Sequence, residues 1–394
     1  MTIGTASATG LKIVGHHDLA GRGDGMQVLR EGNTLYVGHN GTTGAGTSIL
    51  DVSAPDRPKL ISQWDAPENT HTHKVQVADG LLLVNHERFP YRPKAHLGPH
   101  SAGLAVFSLD DPFAPEQIAF WESGGKGVHR IVWEGGRFAH LSATPDGFRD
   151  RIWVVIDLED PGSPTMAGKW WWPGQWEGGG EVVDWPEGKR VAAHHALTEG
   201  TFAYVGYDDA NLVVLDISDI TAPQEAGRLE WGGGATHTCM PLRGRDLLVV
   251  TDEQQHDGPG AAERRIHLVN IADPKNPVYL RKLPAPDDSY DQLPQRFGPH
   301  CLHENRAGSY QSNELVFATY FNAGVRVYDL ADPADPREIA HWVSETPPGS
   351  AAPQSNDLFV DASGIIWVTD RGTGGVFALE PEPWLATLMR DAEL

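Results

Sequence analysis

A unit that recurs along the chain constrains its fold more than any other feature. Each copy ends in an apolar run, then Asp or Asn, then a pair of prolines, as in Ser48-Ile49-Leu50-Asp51 followed by Pro55 and Pro58. Six further copies follow at spacings of roughly 40 to 65 residues: Val106 to Pro115, Val154 to Pro164, Val213 to Pro223, Leu268 to Pro277, Val325 to Pro336 and a degenerate Gly375 to Pro383. Because repeats share one continuous core, we expect a single domain over residues 1–394.

The runs inside each unit predict four short antiparallel strands, which we name A to D from the inside outward. Seven such units predict an all-β, seven-bladed β-propeller of four-stranded blades. The seventh unit lacks a fourth strand, and an orphan run of the same type, Leu11 to His16, stands near the N-terminus. We therefore expect residues 1–15 to close the ring in the last blade, and residues 381–394 to form a tail or short helix.

The apolar-Asp-apolar-Ser-x-Pro-x-x-Pro signature of residues 48–58 resembles the LVIVD-repeat family of seven-bladed β-propellers. The resemblance extends over nearly the whole chain through the other copies. It implies the fold, and it implies no single reaction.

Composition narrows the possible partners. The net charge of −22 disfavours nucleic acid and anionic membrane surfaces. The sequence contains no run of about 18 apolar residues, so it predicts no membrane span. The N-terminus does not resemble a signal peptide. The two cysteines do not form a disulfide framework, so we expect a cytoplasmic protein. The partner that we expect is a small-molecule substrate. The sequence carries no signal for an oligomeric state.

The first residues of the A strands are expected to meet at the propeller axis. Aligning the seven units places these residues there: Met26, His73, His129, His195, His237, His300 and Asn356. Five of the seven are histidine, and several neutral imidazoles at one axis are costly unless each finds a partner. We predict that these five histidines supply the ligands of a divalent metal ion, Zn, Mn or Fe. The alternative is a structural ring of histidines that bond the backbone of neighbouring blades.

The ends of the B strands should lie beside these histidines on the same face, which we call the top face. They supply the candidate acid–base groups and carboxylates behind the ligands: His86, Glu87, Asp208, Asp252 and Glu253.

Candidate substrate contacts come from the same rim. Arginines there could clamp a carboxylate, and aromatic residues in long loops could form a platform. The predicted set is Arg88, Arg130, Arg371, Trp176, Trp185 and Tyr320, with Arg296 nearby. Strand alternation places Cys239 inward and Cys301 outward, and we interpret both as buried structural thiols.

The axial pattern is similar to that of carotenoid-cleavage oxygenases, whose iron is held by one histidine from each of four blades. His71-x-His73 is also similar to a His-x-His pair that helps to hold Mn²⁺ in oligogalacturonate lyases. Our first hypothesis is a metal-dependent lyase or hydrolase acting on a small polar or aromatic substrate. The alternatives are a non-haem iron oxygenase and a non-catalytic propeller that binds proteins.

Overall fold

The computed structural model describes residues 3–90, 98–258 and 264–394. These residues form short antiparallel strands almost throughout. In chain order the strands are β1 (Thr5–Thr9), β2 (Leu11–His17), β3 (Gly25–Glu31), β4 (Thr34–His39), β5 (Ala45–Asp51), β6 (Lys59–Asp65), β7 (Thr70–His71), β8 (Val75–Ala78), β9 (Leu81–Arg88), β10 (Gly103–Ser108), β11 (Glu116–Glu122), β12 (Gly127–Val132), β13 (Phe138–Thr144), β14 (Ile152–Asp157), β15 (Thr165–Trp170), β16 (His195–Glu199), β17 (Phe202–Tyr207), β18 (Asn211–Asp216), β19 (Gln224–Leu229), β20 (Thr236–Leu242), β21 (Leu247–Asp252), β22 (Ile266–Asn270), β23 (Val278–Lys282), β24 (Leu315–Thr319), β25 (Val325–Asp329), β26 (Arg337–Ser344), β27 (Ser355–Val360), β28 (Ile366–Asp370) and β29 (Gly375–Pro381).

Helical structure is limited. One α-helix, α1 (Pro383–Asp391), follows the last strand, and the described 3₁₀ turns are Leu19–Gly21, Glu177–Gly179 and Asp288–Gln292. Leu385 and Met389 of α1 are buried against the last sheet. None of the helices formed by the described residues has the length and apolarity needed to cross a membrane.

The strands are grouped into four-stranded antiparallel sheets, which confirms the predicted fold class. Sheets β3–β6, β16–β19 and β20–β23 are separate, whereas β8–β11 and β12–β15 are joined because Gly127 pairs with Glu87. The sixth unit consists of β24, β25 and β26, with the outer strand β1. Its inner edge is an irregular stretch in which Leu302 bridges to Ala318. With the unit made of β27, β28, β29 and β2, the arrangement is consistent with seven blades.

The N-terminal segment contributes to two neighbouring units. Strand β2 pairs with β29, so it is the outer strand of the unit whose other strands lie at the end of the chain. Strand β1 pairs with β26 of the preceding unit. Residues more than 300 positions apart in sequence are thus hydrogen-bonded neighbours.

The recurrent Asp or Asn has a local structural role. Asp51 Oδ1 accepts a hydrogen bond from Ser53 N at 2.9 Å, and Asp216 Oδ1 accepts one from Ser218 N at 3.0 Å. Asn270 and Ala272 form the same contact. Each side chain thereby stabilises the turn that leaves the third strand of its unit, which explains why Asp or Asn precedes the prolines.

The core lies between neighbouring units. One apolar cluster combines Val37 of β4, Val84 of β9 and Trp367 of β28, which belong to three different sheets. Sheets that pack face to face in this way bury both of their faces. The axis is therefore surrounded by inner strands whose backbone positions are well constrained.

Candidate metal centre

A β-bulge lies at the start of most inner strands. The strand register shifts at Met26, His129, His237 and Asn356, each of which is an extra residue that has no partner on the adjacent strand. A bulge turns the side chains of two consecutive residues towards the same side of the strand. We infer that each of these four inner strands directs two successive residues towards the axis, one above the other.

The upper layer of these residues forms an arc of imidazoles. Consecutive ring centroids are 3.8 Å apart for His71 and His73, 5.0 Å for His73 and His129, and 4.9 Å for His129 and His194. The arc continues through His237 at 4.1 Å and His300 at 4.2 Å. All six rings line one cavity of about 260 Å³. Five blades thus contribute histidine to one site.

Two carboxylates lie against the arc. Glu87 Oε2 is 2.8 Å from His129 Nδ1, and Glu253 Oε1 is 3.7 Å from His300 Nε2. Arg296 Nη1 donates to Glu253 Oε1 at 2.7 Å. Burial raises the pKa of Glu87 to about 7, against the influence of the nearby His71 and of two arginines. A carboxyl group with this pKa can exchange a proton near neutral pH.

Burial keeps the imidazoles neutral. It lowers the pKa of His71 to about 3. It also lowers the pKa values of four further imidazoles well below their usual range, and neighbouring positive charges act in the same direction on these four: His73, His129, His237 and His300. Neutral imidazole is the form that binds metal ions.

The positions of the donor atoms fit a metal ion. His129 Nε2 and His194 Nε2 are 3.2 Å apart, and two ligands about 2.1 Å from one ion lie about 3.0–3.4 Å apart in tetrahedral or octahedral geometry. The buried Nδ1 atom of His194 has no hydrogen-bond partner within the described part of the chain. Three groups bring their ligand atoms within 4.8 Å of one another: His71, His73 and Glu87; His194, His237 and Glu253; and His237, His300 and Cys301.

The opposite end of the axis is closed by a side chain that crosses it. Arg306 follows the inner edge of the sixth unit, and its guanidinium donates to Gln76 Oε1 at 3.0 Å, Val77 O at 3.1 Å and Trp133 O at 2.8 Å. These acceptors belong to the second and third units. The cavity therefore has its floor inside the ring and opens towards the top face.

Comparisons with known proteins agree with this architecture. A model of the LVIVD repeat matches residues 196–230, which include the copy at Val213 to Pro223. The computationally designed Ika8 protein is similar, with a TM-score of 0.53, 11% identity, and coverage of 93% of this chain and 98% of that chain. The periplasmic gluconolactonase PpgL of Pseudomonas aeruginosa has a TM-score of 0.56, 12% identity, and coverage of 94% of each chain. The chain is a β-propeller, and residues 196–230 match the LVIVD repeat. At these identities the two structures indicate the fold alone, and a comparison with curated proteins gives no match.

The propeller places His194, rather than the predicted His195, in the imidazole arc. His194 N donates to Gly206 O, and His195 is also opposite Gly206, so His194 is the bulged residue in this blade. His195 lies one layer lower, where its Nδ1 is 3.2 Å from Thr238 Oγ1 and its Nε2 is 3.1 Å from Glu304 Oε1. A shift of one residue along a strand exchanges the two layers, which explains the misassignment.

Several predicted catalytic residues lie away from the cavity of the propeller. His86 is on the face of β9 opposite to Glu87, and its Nδ1 is 2.8 Å from Ser101 Oγ. Asp252 accepts a hydrogen bond from Thr236 Oγ1, and its Oδ2 lies 2.8 Å from His267 Nε2. These contacts join three strands of its own blade. Asp208 forms a second layer behind the cavity, because its Oδ2 accepts from Arg151 Nη2 at 2.8 Å.

The predicted aromatic contacts are also distant from the site. Tyr320 is buried in the core of the fifth and sixth units beside Phe297. Trp176 is 43% exposed and packs on Trp171, and neither Trp176 nor Trp185 is among the described residues that line the cavity. The aromatic platform is therefore absent from the described lining.

The predicted arginines are divided between the cavity and the surface of the propeller. Arg130, Arg296 and Arg371 line the cavity, whereas Arg88 is not among the described lining residues. Arg130 lies deeper than predicted, with its Nη1 3.3 Å from His237 Nε2.

The orientations predicted for the two cysteines are reversed in the propeller. Cys301 Sγ lies 3.4 Å from His300 Nδ1, and Cys239 packs in an apolar cluster between blades. The bulge at His300 reverses the alternation: His300 N donates to Thr319 O, and Thr319 N donates to Cys301 O. Both thiols are buried, as predicted.

Sequence reasoning missed several cavity residues of the propeller. They are Lys74, Arg151, Arg190, His194, Gln255 and His256, whereas His71 was noted in the His71-x-His73 pair but was not included among the five predicted ligands. Two signals were present in the sequence: His71 and Lys74 lie within two residues of His73, and His194 directly precedes His195. Arg151 and Arg190 are brought to the site by loops, so no local pattern indicated them.

Proposed function

We propose that this propeller is an enzyme that binds a divalent metal ion with axial imidazoles and acts on a small molecule entering from the top face. The observation that carries the proposal is the distance of 3.2 Å between His129 Nε2 and His194 Nε2, two buried imidazoles from different blades. An ionised Glu87 keeps the proton of His129 on Nδ1, so the two Nε2 atoms either share one hydrogen bond or, as we propose, direct both lone pairs at a metal ion.

The remaining members of the arc support the same site. His73, His237 and His300 continue it on both sides, and Glu87 and Glu253 stand behind it. The bound ion would supply Lewis-acid chemistry. Glu87 holds His129 in the tautomer that leaves Nε2 available, and its raised pKa suits the transfer of a proton to or from a substrate.

Hydrolase or lyase chemistry is the reaction class that we propose. A gluconolactonase is among the proteins that share this fold, so the fold can accommodate an enzyme active site, although it does not by itself indicate one. The carboxylates beside the imidazoles provide the acid–base groups that such reactions require.

A non-haem iron oxygenase is the second candidate. It is favoured by the composition of the arc, in which imidazoles outnumber carboxylates by six to two. Consumption of dioxygen with bound Fe(II) would separate it from the first candidate.

Metal analysis tests the proposal. Protein purified without chelators and incubated with Zn²⁺, Mn²⁺ or Fe²⁺ should bind close to one equivalent, and His129→Ala, His194→Ala and His237→Ala should each weaken binding. The control variants are His16→Ala and His341→Ala, because these side chains bond Gly374 O and Ser7 Oγ outside the cavity. Less than about a tenth of an equivalent after reconstitution would refute the metal site, and would favour a structural histidine ring in a protein-binding propeller.

A further inference from the structure

The charged side chains of the cavity do not balance. Among the residues that the structure describes, six cationic ones line it: Lys74, Arg130, Arg151, Arg190, Arg296 and Arg371. The carboxylates among the same described lining residues are Glu87 and Glu253. This excess of positive charge occurs in a protein whose net charge is −22, so it is a local feature of the cavity.

Carboxylates neutralise the cations in the walls. Asp208 Oδ2 lies 2.8 Å from Arg151 Nη2 and 3.2 Å from Arg190 Nη1, and Asp150 accepts two further hydrogen bonds from Arg190. Glu253 accepts from Arg296. These three arginines form ion pairs that the protein itself completes.

Lys74 differs from the wall arginines. Its side chain is only 1% exposed, and Nζ has no hydrogen-bond partner among the described residues. Its backbone is held in place because Lys74 N donates to Asn85 Oδ1 at 2.7 Å. A buried ammonium group without a partner is costly, so its retention at the cavity indicates a ligand that compensates the charge.

Arg130 lines the same cavity, and its charge is only partly compensated. Among the described residues, the carboxylate that pairs with it is Glu304, at 3.8 Å from Nη2, and its Nε is buried without a hydrogen-bond partner there. Nη1 instead contacts His237 Nε2 at 3.3 Å. If His237 Nε2 held a metal ion, this N–H of Arg130 would be available to another acceptor.

We propose that Lys74 and Arg130 form an oxyanion subsite in the floor of the cavity, so that the substrate is a small anion bearing a carboxylate or phosphate group. That this anion is the substrate of the metal centre rests on the proposed function. Arg130 touches both the subsite and His237, so the oxyanion lies next to the imidazole arc. The anion also offsets the repulsion between a divalent ion and the cations around it.

Calorimetric titration of the full-length protein tests the subsite. The probes are malonate, inorganic phosphate and the neutral analogue malonamide, each added to metal-free and to metal-reconstituted protein at constant ionic strength. We expect malonate or phosphate to bind and malonamide not to bind. The preferred anion identifies the group as carboxylate or phosphate.

Substitutions assign the binding to the proposed residues. Lys74→Met should weaken binding of the preferred anion by about 10- to 100-fold, because a hydrogen bond to a charged group is lost. Lys126→Met is the matched control: Lys126 Nζ donates to Arg149 O, and Lys126 is not among the described lining residues. Arg130→Lys, which keeps the charge and loses the forked guanidinium, should also weaken binding and provides the test if Lys74→Met does not fold.

The outcomes separate the two proposals. Absence of binding by both anions, or unchanged anion affinity in folded Lys74→Met and Arg130→Lys, would overturn the subsite. Anion binding that depends on Lys74 in a protein that retains no metal would support the subsite and refute the metal site. Stoichiometric metal with anion binding that is independent of Lys74 would do the reverse.

Discussion

At the scale of the residue, the site depends on pairs in which one side chain sets the state of another. Glu87 Oε2 is 2.8 Å from His129 Nδ1. An ionised Glu87 can only accept in this contact, so the proton of His129 lies on Nδ1 and the lone pair of Nε2 points towards His194 Nε2. Thr238 Oγ1 takes the same position behind His237, at 2.7 Å from Nδ1. Imidazoles held in this way would lose less conformational freedom on binding the proposed metal ion.

Glu87→Gln is the residue-scale prediction. The amide retains the volume of the side chain and loses its charge, so we expect metal affinity to fall by about 10- to 100-fold while the fold is retained. Competition with a chromophoric chelator measures the affinity. Glu122→Gln, an exposed substitution on β11, serves as the control. Equal affinity of Glu87→Gln and the wild type would show that the carboxylate does not orient a ligand.

At the scale of the element, the β-bulge determines which histidines meet. Each bulge directs one residue to the upper layer and its successor to the lower layer. His194 and His195 are adjacent, have the same side-chain chemistry and are both buried. Only their positions relative to the bulge distinguish them.

This pair provides a matched comparison. We expect His194→Ala to lower metal content strongly, whereas His195→Ala should leave metal content within about twofold of the wild type, because His195 faces Thr238 and Glu304 in the lower layer. Elemental analysis of both variants, with circular dichroism to verify folding, measures the difference. The reverse order of effects would place the metal ion in the lower layer.

At the scale of the whole molecule, the two ends of the chain meet in one sheet. Strand β2 pairs with β29, and Leu11 is buried at 2% exposure. The unit that contains the end of the chain therefore obtains its outer strand from the beginning.

Deletion of residues 1–17 tests this closure. It exposes the edge of β29 and the apolar residues beneath β2, so we expect a loss in unfolding free energy on the order of 5 kcal/mol. Urea unfolding measures the loss. Deletion of residues 1–9 removes β1 and retains β2, and it should have the smaller effect. A wild-type melting temperature after the longer deletion would contradict a closing role for β2.

Acid sensitivity also belongs to the molecule as a whole. Burial lowers the pKa values of His86, His140 and His303 to about 4, below the usual 6.5. Between pH 6.5 and 4 the unfolded chain binds more protons than the folded one, so stability is lost as pH falls through this window. Each such histidine contributes a slope of up to about 1.4 kcal/mol per pH unit.

His140→Phe isolates one of these contributions. His140 stacks on Trp153 at 5.6 Å, and Phe retains a ring at that position without a titrating group. We expect the stability of the variant to fall less than that of the wild type between pH 7 and pH 5, as measured by urea unfolding with chelator present. An identical pH dependence would show that His140 does not titrate on unfolding.

The sequence alone was sufficient to predict the fold and the convergence of most of the axial histidines. The Asp or Asn at the end of each third strand makes a local contact, so its recurrence revealed the blades directly. The predicted convergence of His73, His129, His237 and His300 is present in the structure for the same reason, since these residues occupy equivalent positions in their units.

The tertiary structure decided which neighbouring residues share the cavity. A bulge that shifts the strand register by one residue decides which of two residues faces the axis: His194 or His195, and Cys301 or Cys239. No residue type in the sequence indicates where such a bulge lies. Arg151 and Arg190 reach the site through loops, and Arg306 closes the floor from the far side of the ring. Repetition in sequence determines the contacts made within a blade, whereas contacts across the axis join residues that only the closed ring brings together.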